Sequence, residues 1–436
     1  MSLVGKPGYK ETSAGWMPIE WTATTLGNEV ESIVGGGTPS KDVAEYWGGD
    51  IPWASVKDFV GSRLSKTQDC ITRQAVKASA TNLIPAGTLI TPTRMALGRV
   101  AVFDCEVAIN QDLKAIFPKP SLLKDFLFFW FQNHAHRIEA AGTGSTVKGI
   151  RLEVLREFGV ALPPLPEQQR ISTILTAVDE KLDVIARQIE AAQSLKQGLM
   201  QTLFSRGVGT QDADGRWVPH AEFKDSELGR IPAGWTMMPL EELAVENITY
   251  GVVQPGESVE GGIPLVRGGD IKRGRIAANL RTVSTEISNQ FKRTILKGGE
   301  LLVSLVGYPG ETAVVPSQLA GANIARQAGM IRTGSVSTSE FIHYYLSSPV
   351  GKSFLLAGMI GSAQQVINLK ALREVLIPLP SVAERVRICS ICSAVTKKLQ
   401  VLEYKQSSFQ DLKRGLMQKL LTGEWRVSVN ASATGT

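Results

Sequence analysis

The sequence predicts an α+β fold of two similar globular regions, each followed by one long helix, with the two helices pairing as an antiparallel coiled coil. Three observations support this prediction. Most of the chain occurs twice, short β-branched runs alternate with helical patterns inside each copy, and an apolar stripe with helical spacing closes each copy. A repeat of this size indicates two equivalent structural units.

Length and composition are those of a globular protein. The chain has 436 residues, of which 43% are apolar and 20% charged, a length that suggests roughly two to four domains. No apolar run reaches the roughly 18–20 residues of a membrane span, and the N-terminus lacks a signal-peptide pattern. Because the four cysteines indicate no disulfide framework, we expect a cytoplasmic protein without a membrane partner.

The repeat extends over nearly the whole chain. "YKETSAGWMPIEWTATTL" from Tyr9 returns 214 positions later as "FKDSELGRIPAGWTMMPL", and "GSTVKGIRLEVLREFGVALP" from Gly144 returns 217 positions later as "GSAQQVINLKALREVLIPLP". The spacing drifts because surface loops differ in length between copies. The predicted segments are a globular domain over 1–165, a long helix over 166–207, a linker over 208–222, a second globular domain over 223–380, a second long helix over 381–423, and a flexible tail over 424–436.

Inside the globular domains, Gly and Pro separate short runs rich in β-branched residues. "GTLITP", "RVAVFD", "ELLVSLVG" and "TAVVP" are typical of strands. "LLKDFLFFWFQNHAHRIEAA" and "SEFIHYYLSSPVGKSFLLAG" have the length and spacing of helices. The two domains are therefore expected to mix sheet and helix in the same way.

The two long helices carry apolar residues at alternating steps of three and four, which is the heptad pattern of a coiled coil, interrupted near Lys196. Pro166 and Glu167 suit a first helical turn, and Ser381 with Glu384 forms an S-x-x-E capping box. The alternative, in which each helix packs only on its own globular domain, remains open. The positions expected at the helix interface are Ile171, Leu175, Val178, Leu182, Ile185, Ile189, Ile388, Cys392, Val395, Leu399, Leu402 and Phe409.

We find no familiar catalytic or metal-binding pattern. The N-P-P-F motif of amino-methyltransferases, a complete P-loop and the D…E-x-K set of metal-dependent nucleases are all missing. Cys389 and Cys392 form a C-x-x-C pair, but Cys392 occupies a heptad position, which favours core packing over zinc or redox chemistry. We therefore expect no catalytic residue, cofactor site or metal site in this chain.

The charge distribution permits nucleic-acid binding without requiring it. The formal net charge is only +6, but the segment 261–293 contains seven basic residues and two acids. Such a segment can equally be a solvated face of a sheet.

Several motifs together resemble the specificity subunit of type I restriction-modification systems. They are "GGTPS", "YWGGDIPWASVKD", "GSTVKGI", "LPPLPEQQRI" and "LKQGLMQTLF" in the first copy, with "LIPLPSVAERVRI" and "LKRGLMQKLLTGEWRV" in the second. The second copy departs from the pattern in two places. It has Ser-Val-Ala-Glu-Arg where the first has Pro-Glu-Gln-Gln, and it lacks a "GGTP" counterpart because Gly251 leads into "VVQPGE".

The resemblance implies that each globular domain is a target-recognition domain for one half of a bipartite sequence in double-stranded DNA. It further implies that the helix pair fixes the spacer between the halves and docks two modification subunits. Restriction subunits, which are motor nucleases, would complete the complex. S-adenosylmethionine, ATP and magnesium are expected on those partners, and no catalysis on this chain. Two other hypotheses are a duplicated adaptor that joins proteins without DNA and an enzyme with an unfamiliar site.

Candidate DNA contacts follow from side-chain chemistry, because Arg and Lys suit guanine edges whereas Gln suits adenine. In the first domain we expect Thr38, Lys41, Lys57, Arg94, Arg99, Lys114, Ser145 and Lys148. In the second we expect Arg267, Lys272, Arg273, Arg275, Arg326 and Gln327. Each could instead contact a phosphate or be a solvated side chain, and local turn chemistry explains Thr38 and Ser145 equally well.

Overall fold

In the computed structural model the chain divides into two compact units. The structure describes residues 5, 7–357, 359–360 and 365–427. Unit 1 comprises Met1–Ile185 with Lys405–Thr436, and unit 2 comprises Ala186–Tyr404. Each unit therefore contains one globular region, the start of one long helix and the end of the other.

Unit 1 is built on two mixed sheets. In strand order, the larger consists of Val30–Gly35, Leu113–Pro118, Leu89–Pro92, Ala101–Phe103 and Arg63–Leu64, and the smaller of Asp69–Ile71, Trp47–Ala54, Val107–Ile109 and Asn82–Ile84. Two antiparallel pairs accompany them, Tyr9–Thr12 with Gly15–Pro18 and Thr22–Thr25 with Gly159–Leu162. The shorter helices are Leu26–Glu29, Ala44–Tyr46, Val56–Asp58, Arg73–Ala78, Lys124–Ala140 and Leu152–Arg156.

Unit 2 repeats this plan with smaller sheets. Their strand orders are Thr249–Tyr250, Ala328–Ile331, Leu301–Ser304, Thr312–Val314 and, separately, Arg281–Val283, Ile263–Val266, Asn323–Ile324. The antiparallel pairs are Thr210–Gln211 with Trp217–Val218, Phe223–Ser226 with Gly229–Pro232, Thr236–Pro239 with Leu376–Leu379, Ile271–Lys272 with Arg275–Ile276, and Met359–Ile360 with Val366–Ile367. The shorter helices are Leu240–Leu243, Gly268–Asp270, Thr285–Gln290, Lys292–Thr294, Ser317–Leu319, Val336–Ser347, Pro349–Ala357 and Leu369–Glu374.

The core of each unit forms where a helix of the globular region meets the long helices. In unit 1 the helix Lys124–Ala140 buries the whole run Phe126–Phe131, so it is enclosed on every side rather than amphipathic. In unit 2 the helix Val336–Ser347 buries Phe341 and Tyr345 in the corresponding cluster. The predicted α+β fold of two repeated globular regions, each with a long helix, is confirmed.

The first long helix spans Leu165–Arg206 and the second spans Val382–Leu420. The first ends where Gly207 adopts a φ of 71°, a left-handed conformation that glycine adopts without steric cost. The second ends three residues before Gly423, which we predicted as its last residue, because a turn follows Leu420. All twelve predicted interface residues are buried or half-buried.

Within each unit the two helix segments run antiparallel. In unit 1, Lys413 Nζ lies 2.7 Å from Asp179 Oδ1, and Ile171 and Leu175 share a buried cluster with Leu420. In unit 2, segments that include Met200, Leu203, Ile388 and Cys392 share another buried cluster. Continuous pairing as a coiled coil along the whole seam stays a prediction.

A buried glutamate near the start of each long helix ties that helix to its globular region. Trp21 Nε1 donates to Glu167 Oε2 at 3.0 Å, and Trp235 Nε1 donates to Glu384 Oε2 at the same distance. Ser381 Oγ accepts from the Glu384 amide at 3.2 Å, as a capping box requires. The Glu384 carboxylate does not complete that box, because its oxygens bind the tryptophan and the segment after the first long helix.

Two predicted connecting segments differ from expectation. The segment 208–222 contains a strand pair, and its Val208 and Gly209 amides donate to Glu384 Oε1 at 2.9 and 3.1 Å. In the predicted tail, Arg426 donates to both oxygens of Glu167 at 2.8 and 3.0 Å, so residues 424–427 are attached to unit 1. The remainder, 428–436, lies outside the described residues. The buried carboxylates need donors, which these segments supply.

Over the described ranges, none of the helices combines the length and apolar character that crossing a bilayer requires.

Candidate nucleic-acid interface

In unit 2, two parallel strands bring several of the predicted residues to one edge. Val266 pairs with Ile324 in register, and the Ala325 amide donates to the Val266 carbonyl at 2.8 Å. Arg267 directly follows the strand that ends at Val266. One residue separates Arg326 from the strand that ends at Ile324. Parallel strands end at the same edge of a sheet, so the topology places these two exposed arginines together.

Next to this edge, a tight hairpin presents three cations. Its turn consists of Arg273 and Gly274, whose φ angles of 49° and 78° are both positive, as a two-residue hairpin turn of the primed type requires. The Arg273 amide donates to Glu311 Oε2 at 2.7 Å, and Lys272 Nζ lies 4.3 Å from the Tyr308 ring centroid. The side chains of Lys272, Arg273 and Arg275 are exposed, so the hairpin is a fixed platform for positive charge.

Arg267 and Gln327 differ from the hairpin in how they are engaged. The Arg267 guanidinium donates through Nε and Nη2 to the two Asp270 oxygens, both at 3.0 Å, which raises the pKa of Arg267. This bidentate pair favours a role in holding the turn Gly268–Asp270 over free access to a base. Gln327 Oε1 is buried without a hydrogen-bond donor among the described residues, so this oxygen is not presented at the surface beside Arg326.

Unit 1 contains the same arrangement with different side chains. We call it the corner: the sheet edge where two parallel strands end, together with the loops beside it. The strands Trp47–Ala54 and Val107–Ile109 run parallel, and the Asn110 amide donates to the Ala54 carbonyl at 3.0 Å. Here Gln111 takes the place of Arg326. Thr38 Oγ1 donates to Gln111 Oε1 at 2.5 Å, and Lys114 Nζ donates to the Gln111 carbonyl at 2.6 Å. Burial lowers the pKa of Lys114, whose ammonium holds this loop in place.

A cleft of about 470 Å³ adjoins this corner and is lined by Arg94, Gln111, Asp112 and Val147. Arg94 Nη1 lies 3.8 Å from Asp112 Oδ1, and its side chain is 65% exposed. The loop that carries the exposed Ser145 and Lys148 is closed by two 2.8 Å hydrogen bonds between Thr143 and Gly149. The structure thus brings five predicted residues to this corner, namely Thr38, Arg94, Lys114, Ser145 and Lys148.

The other three predicted residues of unit 1 stand apart from that contact network. Arg99 Nη1 donates to the Phe59 carbonyl at 2.5 Å, which links it to the turn that carries Lys57. Lys57 and Lys41 are both exposed. No hydrogen bond or ion pair joins these three to the Gln111 corner in the described part of the chain.

Some features of these corners were missed in the sequence. The equivalence of Gly36 and Gly251 is one of them: a Cβ at Gly251 would lie 1.9 Å from the Ile324 carbonyl, as a Cβ at Gly36 would lie 1.8 Å from that of Ile109. Both glycines let a loop approach the strand that ends with the isoleucine, although the second copy has no "GGTP" sequence at this place. Their spacing of 215 was the available signal. Met95 was also missed; it is exposed, with φ at 68°.

The described residues contain no group of three or more His, Cys, Asp or Glu side chains that could hold a metal ion. Cys389 and Cys392 are buried in the helix core, and burial raises the pKa of their thiols to about 12 and about 11. Their thiols are therefore protonated at neutral pH, which fits packing rather than thiolate chemistry.

Comparison with protein families gives two matches in this chain. The family described as type I restriction modification DNA specificity domain matches residues 18–193 and again residues 232–408. The two matched segments contain most of both globular regions and most of both long helices.

Among curated proteins, the chain is 28% identical over 242 residues to the type I restriction enzyme MjaIX specificity subunit of Methanocaldococcus jannaschii, covering 54% of each. It is 29% identical over 322 residues to the EcoBI specificity subunit of Escherichia coli, covering 69% of this chain and 66% of that protein. The match to the MjaVIII specificity subunit of M. jannaschii is 22% identical and covers 98% of both chains. The chain thus spans about half to two thirds of the first two relatives.

Two solved structures share the fold. The S subunit of a type I restriction-modification system from M. genitalium has a TM-score of 0.58 at 16% identity, covering 94% of this chain and 97% of that one. A chain from a structure on complex assembly and conformational transition of the type I R-M system has a TM-score of 0.53 at 19% identity, covering 94% and 99%.

Proposed function

The chain belongs to the type I restriction modification DNA specificity domain family, and from this premise we propose that it recognises a bipartite target in double-stranded DNA. The globular region of unit 1 contacts one half of the target, and that of unit 2 contacts the other. Access to DNA is needed for this role, so the proposed location is the cytoplasm. The chain acts by recognition, and the chemistry takes place on partner subunits.

The observation that carries this proposal is the corner repeated in both units. In each, two parallel strands end beside a loop that approaches one of them at a glycine, and cationic or amide side chains lie next to these strand ends. In unit 2 the side chains of Arg273, Arg275 and Arg326 have no carboxylate partner in the described structure. Arginine forks of this kind bind guanine edges and phosphates through two hydrogen bonds.

The long helices are proposed to pair as a continuous antiparallel coiled coil that sets the spacing between the two DNA contacts. Antiparallel packing of their segments inside each unit supports this role. The outer face of the pair would dock two modification subunits, which would bind S-adenosylmethionine. Restriction subunits would add the ATP- and magnesium-dependent motor and nuclease. Inserting one heptad into each helix should lengthen the spacer and leave both half-targets unchanged.

The test is a base-resolution methylation map of DNA from cells that make this chain with its modification subunits. We expect methylated adenine in a motif split by a gap of fixed length. The double substitution Arg273→Ala with Arg275→Ala should weaken binding about tenfold or more, or relax one half of the motif only. The exposed Lys370→Ala is the matched control, since Lys370 pairs with Glu374 on a separate helix.

One result would contradict the proposal, and another would contradict only the role given to the hairpin. Absence of any split motif, with the complex shown to assemble, would favour an adaptor that joins proteins. An unchanged motif and affinity in the double variant would remove the hairpin from the DNA contact and leave the function to the other residues.

A further inference from the structure

A groove in unit 2 joins the basic hairpin to the long helices. It has a volume of about 840 Å³, and its walls come from the hairpin, the helix Val336–Ser347, the start of the helix Pro349–Ala357 and both long helices. Lys272, Arg273 and Arg275 line one side, and Lys196 of the first long helix lines the other. The groove therefore extends the cationic surface of the globular region onto the long helix.

Lys196 is half-buried in this groove and has neither a hydrogen-bond acceptor nor an ion-pair partner among the described residues. Burial lowers the pKa of its ammonium, while Cys392, Glu403 and Glu311 act in the opposite direction. On the opposite helix, Thr396 Oγ1 is buried and has no hydrogen-bond partner in the part of the chain that the structure describes. A half-buried charge without a counterion is costly, and proteins keep few such groups without a reason.

In unit 1, the lysine equivalent to Lys196 has the carboxylate partner that Lys196 lacks. Lys413 lies 217 positions after Lys196, and its Nζ is 2.7 Å from Asp179 Oδ1 and 2.7 Å from Gln132 Oε1. Position 396, which lies 217 after Asp179, holds threonine instead of a carboxylate. Unit 2 thus keeps the lysine of the pair and lacks its acid, and a groove opens at this place.

We propose that this groove binds the phosphodiester backbone of duplex DNA, with Lys196 supplying a phosphate contact from the long helix. The proposal rests on the proposed function, and it extends the DNA contact from the globular region to the spacer helix. The contact is independent of base sequence. A phosphate oxygen takes the place that the Asp179 carboxylate has beside Lys413.

The charges around the groove favour a phosphate chain over a single acidic side chain of a protein. Five cations line it, namely Lys196, Lys272, Arg273, Arg275 and Lys352, against the carboxylates of Glu311, Glu340 and Glu403. Lys352 and Glu311 neutralise each other at 2.9 Å. The unpaired cations stand on both walls, so a polyanion running along the groove meets several of them in succession.

The experiment compares three variants of the full chain, assembled with its modification subunits, on a labelled duplex of arbitrary sequence. Lys196→Gln removes the cation, and Thr396→Asp installs the missing carboxylate beside it. Lys398→Gln makes the same charge change at an exposed position on the second long helix outside the groove. Affinity is measured over a series of salt concentrations, and thermal unfolding and subunit assembly are measured in parallel.

We expect Lys196→Gln and Thr396→Asp each to reduce the slope of log affinity against log salt by about 1, and Lys398→Gln to leave it unchanged. Thr396→Asp should also raise the unfolding temperature, because it recreates the ion pair of unit 1. A wild-type slope in both groove variants, with steep salt dependence in the wild-type complex, would overturn the groove and leave the proposed function standing. Loss of modification subunits from the Lys196→Gln complex would also overturn it, since the groove would then be a protein contact. A wild-type complex that shows no salt-dependent duplex binding would overturn both.

Discussion

The two buried glutamates, Glu167 in unit 1 and Glu384 in unit 2, hold equivalent tryptophans with the same 3.0 Å hydrogen bond but are completed by different groups. Arg426, which follows the second long helix, binds Glu167 through two nitrogens. Glu384 instead accepts from two backbone amides of the segment after the first long helix, and His220 Nε2 lies 2.9 Å from it.

The difference shows that duplication preserved the carboxylate and its tryptophan, while the chain beyond each helix supplied donors in its own way. A charged fork in unit 1 and peptide groups in unit 2 both satisfy a carboxylate that water cannot reach. The contacts of Glu167 and of Glu384 should therefore respond differently to substitution. Each set of contacts can be tested separately.

The largest effect is expected at Glu384. Replacing it with alanine leaves Trp235 Nε1 and the amides of Val208 and Gly209 without an acceptor in a site that is 1% exposed. Unfolding free energy should fall by roughly 3–4 kcal/mol, measured by denaturant titration. Glu374→Ala, at an exposed position, is the control and should change it by less than about 0.5 kcal/mol. Equal stability of the two variants would refute the view that this carboxylate joins the helix to unit 2.

A smaller loss of stability is expected when His343 becomes protonated at acidic pH. Burial, and after it the charge of nearby Lys196, lower the pKa of His343 from 6.5 to about 4, although Glu311 acts in the opposite direction. Between these values the unfolded chain binds a proton that the folded chain excludes, so unit 2 loses stability as the pH falls below 6.5. His343→Phe should remove about 2 kcal/mol of that loss.

The measurement is the free energy of unfolding across this pH range, with exposed His136→Phe as the control. Burial also lowers the pKa of His134 in unit 1, so some acid sensitivity should survive in the variant. A pH profile identical to that of the wild type would show that His343 does not set the acid sensitivity of unit 2.

The smallest effect is expected at Arg426, which is 39% exposed on its side chain. Arg426→Ala leaves Glu167 with Trp21 as its remaining side-chain donor among the described residues, and solvent screening limits the loss of unfolding free energy to about 1–2 kcal/mol. Arg426→Lys should recover only part of it, because an ammonium cannot donate two parallel hydrogen bonds to a carboxylate. Hydrogen exchange would check that the loss is confined to unit 1; full rescue by lysine would mean that charge alone matters there.

Local pattern was enough to predict the long helices and their apolar faces. Heptad spacing from Ile171 to Ile189 and from Ile388 to Phe409 marks residues that the structure leaves unexposed. The helix starts at Pro166 and Ser381 were also placed within one residue. Helical periodicity and capping depend on neighbours within a few positions, so a single sequence contains them.

The candidate site was less accessible from sequence. Lysine and arginine residues in loops could be named, but their partners could not. Arg267 is bound to Asp270, whereas Arg273 and Arg275 project from a hairpin whose turn needs a positive φ at Arg273. Lys196 stood out only as an interruption of the heptads, because its missing counterion becomes visible only beside Lys413 and Asp179.

By itself the sequence determined the duplication, the α+β character, the two long helices and the family resemblance. Each of these depends on the pattern of neighbouring residues or on the spacing between repeats. Tertiary structure decided which charges are neutralised. It placed Arg426 on Glu167, left Lys196 without a carboxylate, and brought Gly36 and Gly251 against strands about 73 residues further along the chain. Electrostatic partners are set by distances in space, and residues far apart in the chain come together only when the sheets and helices pack.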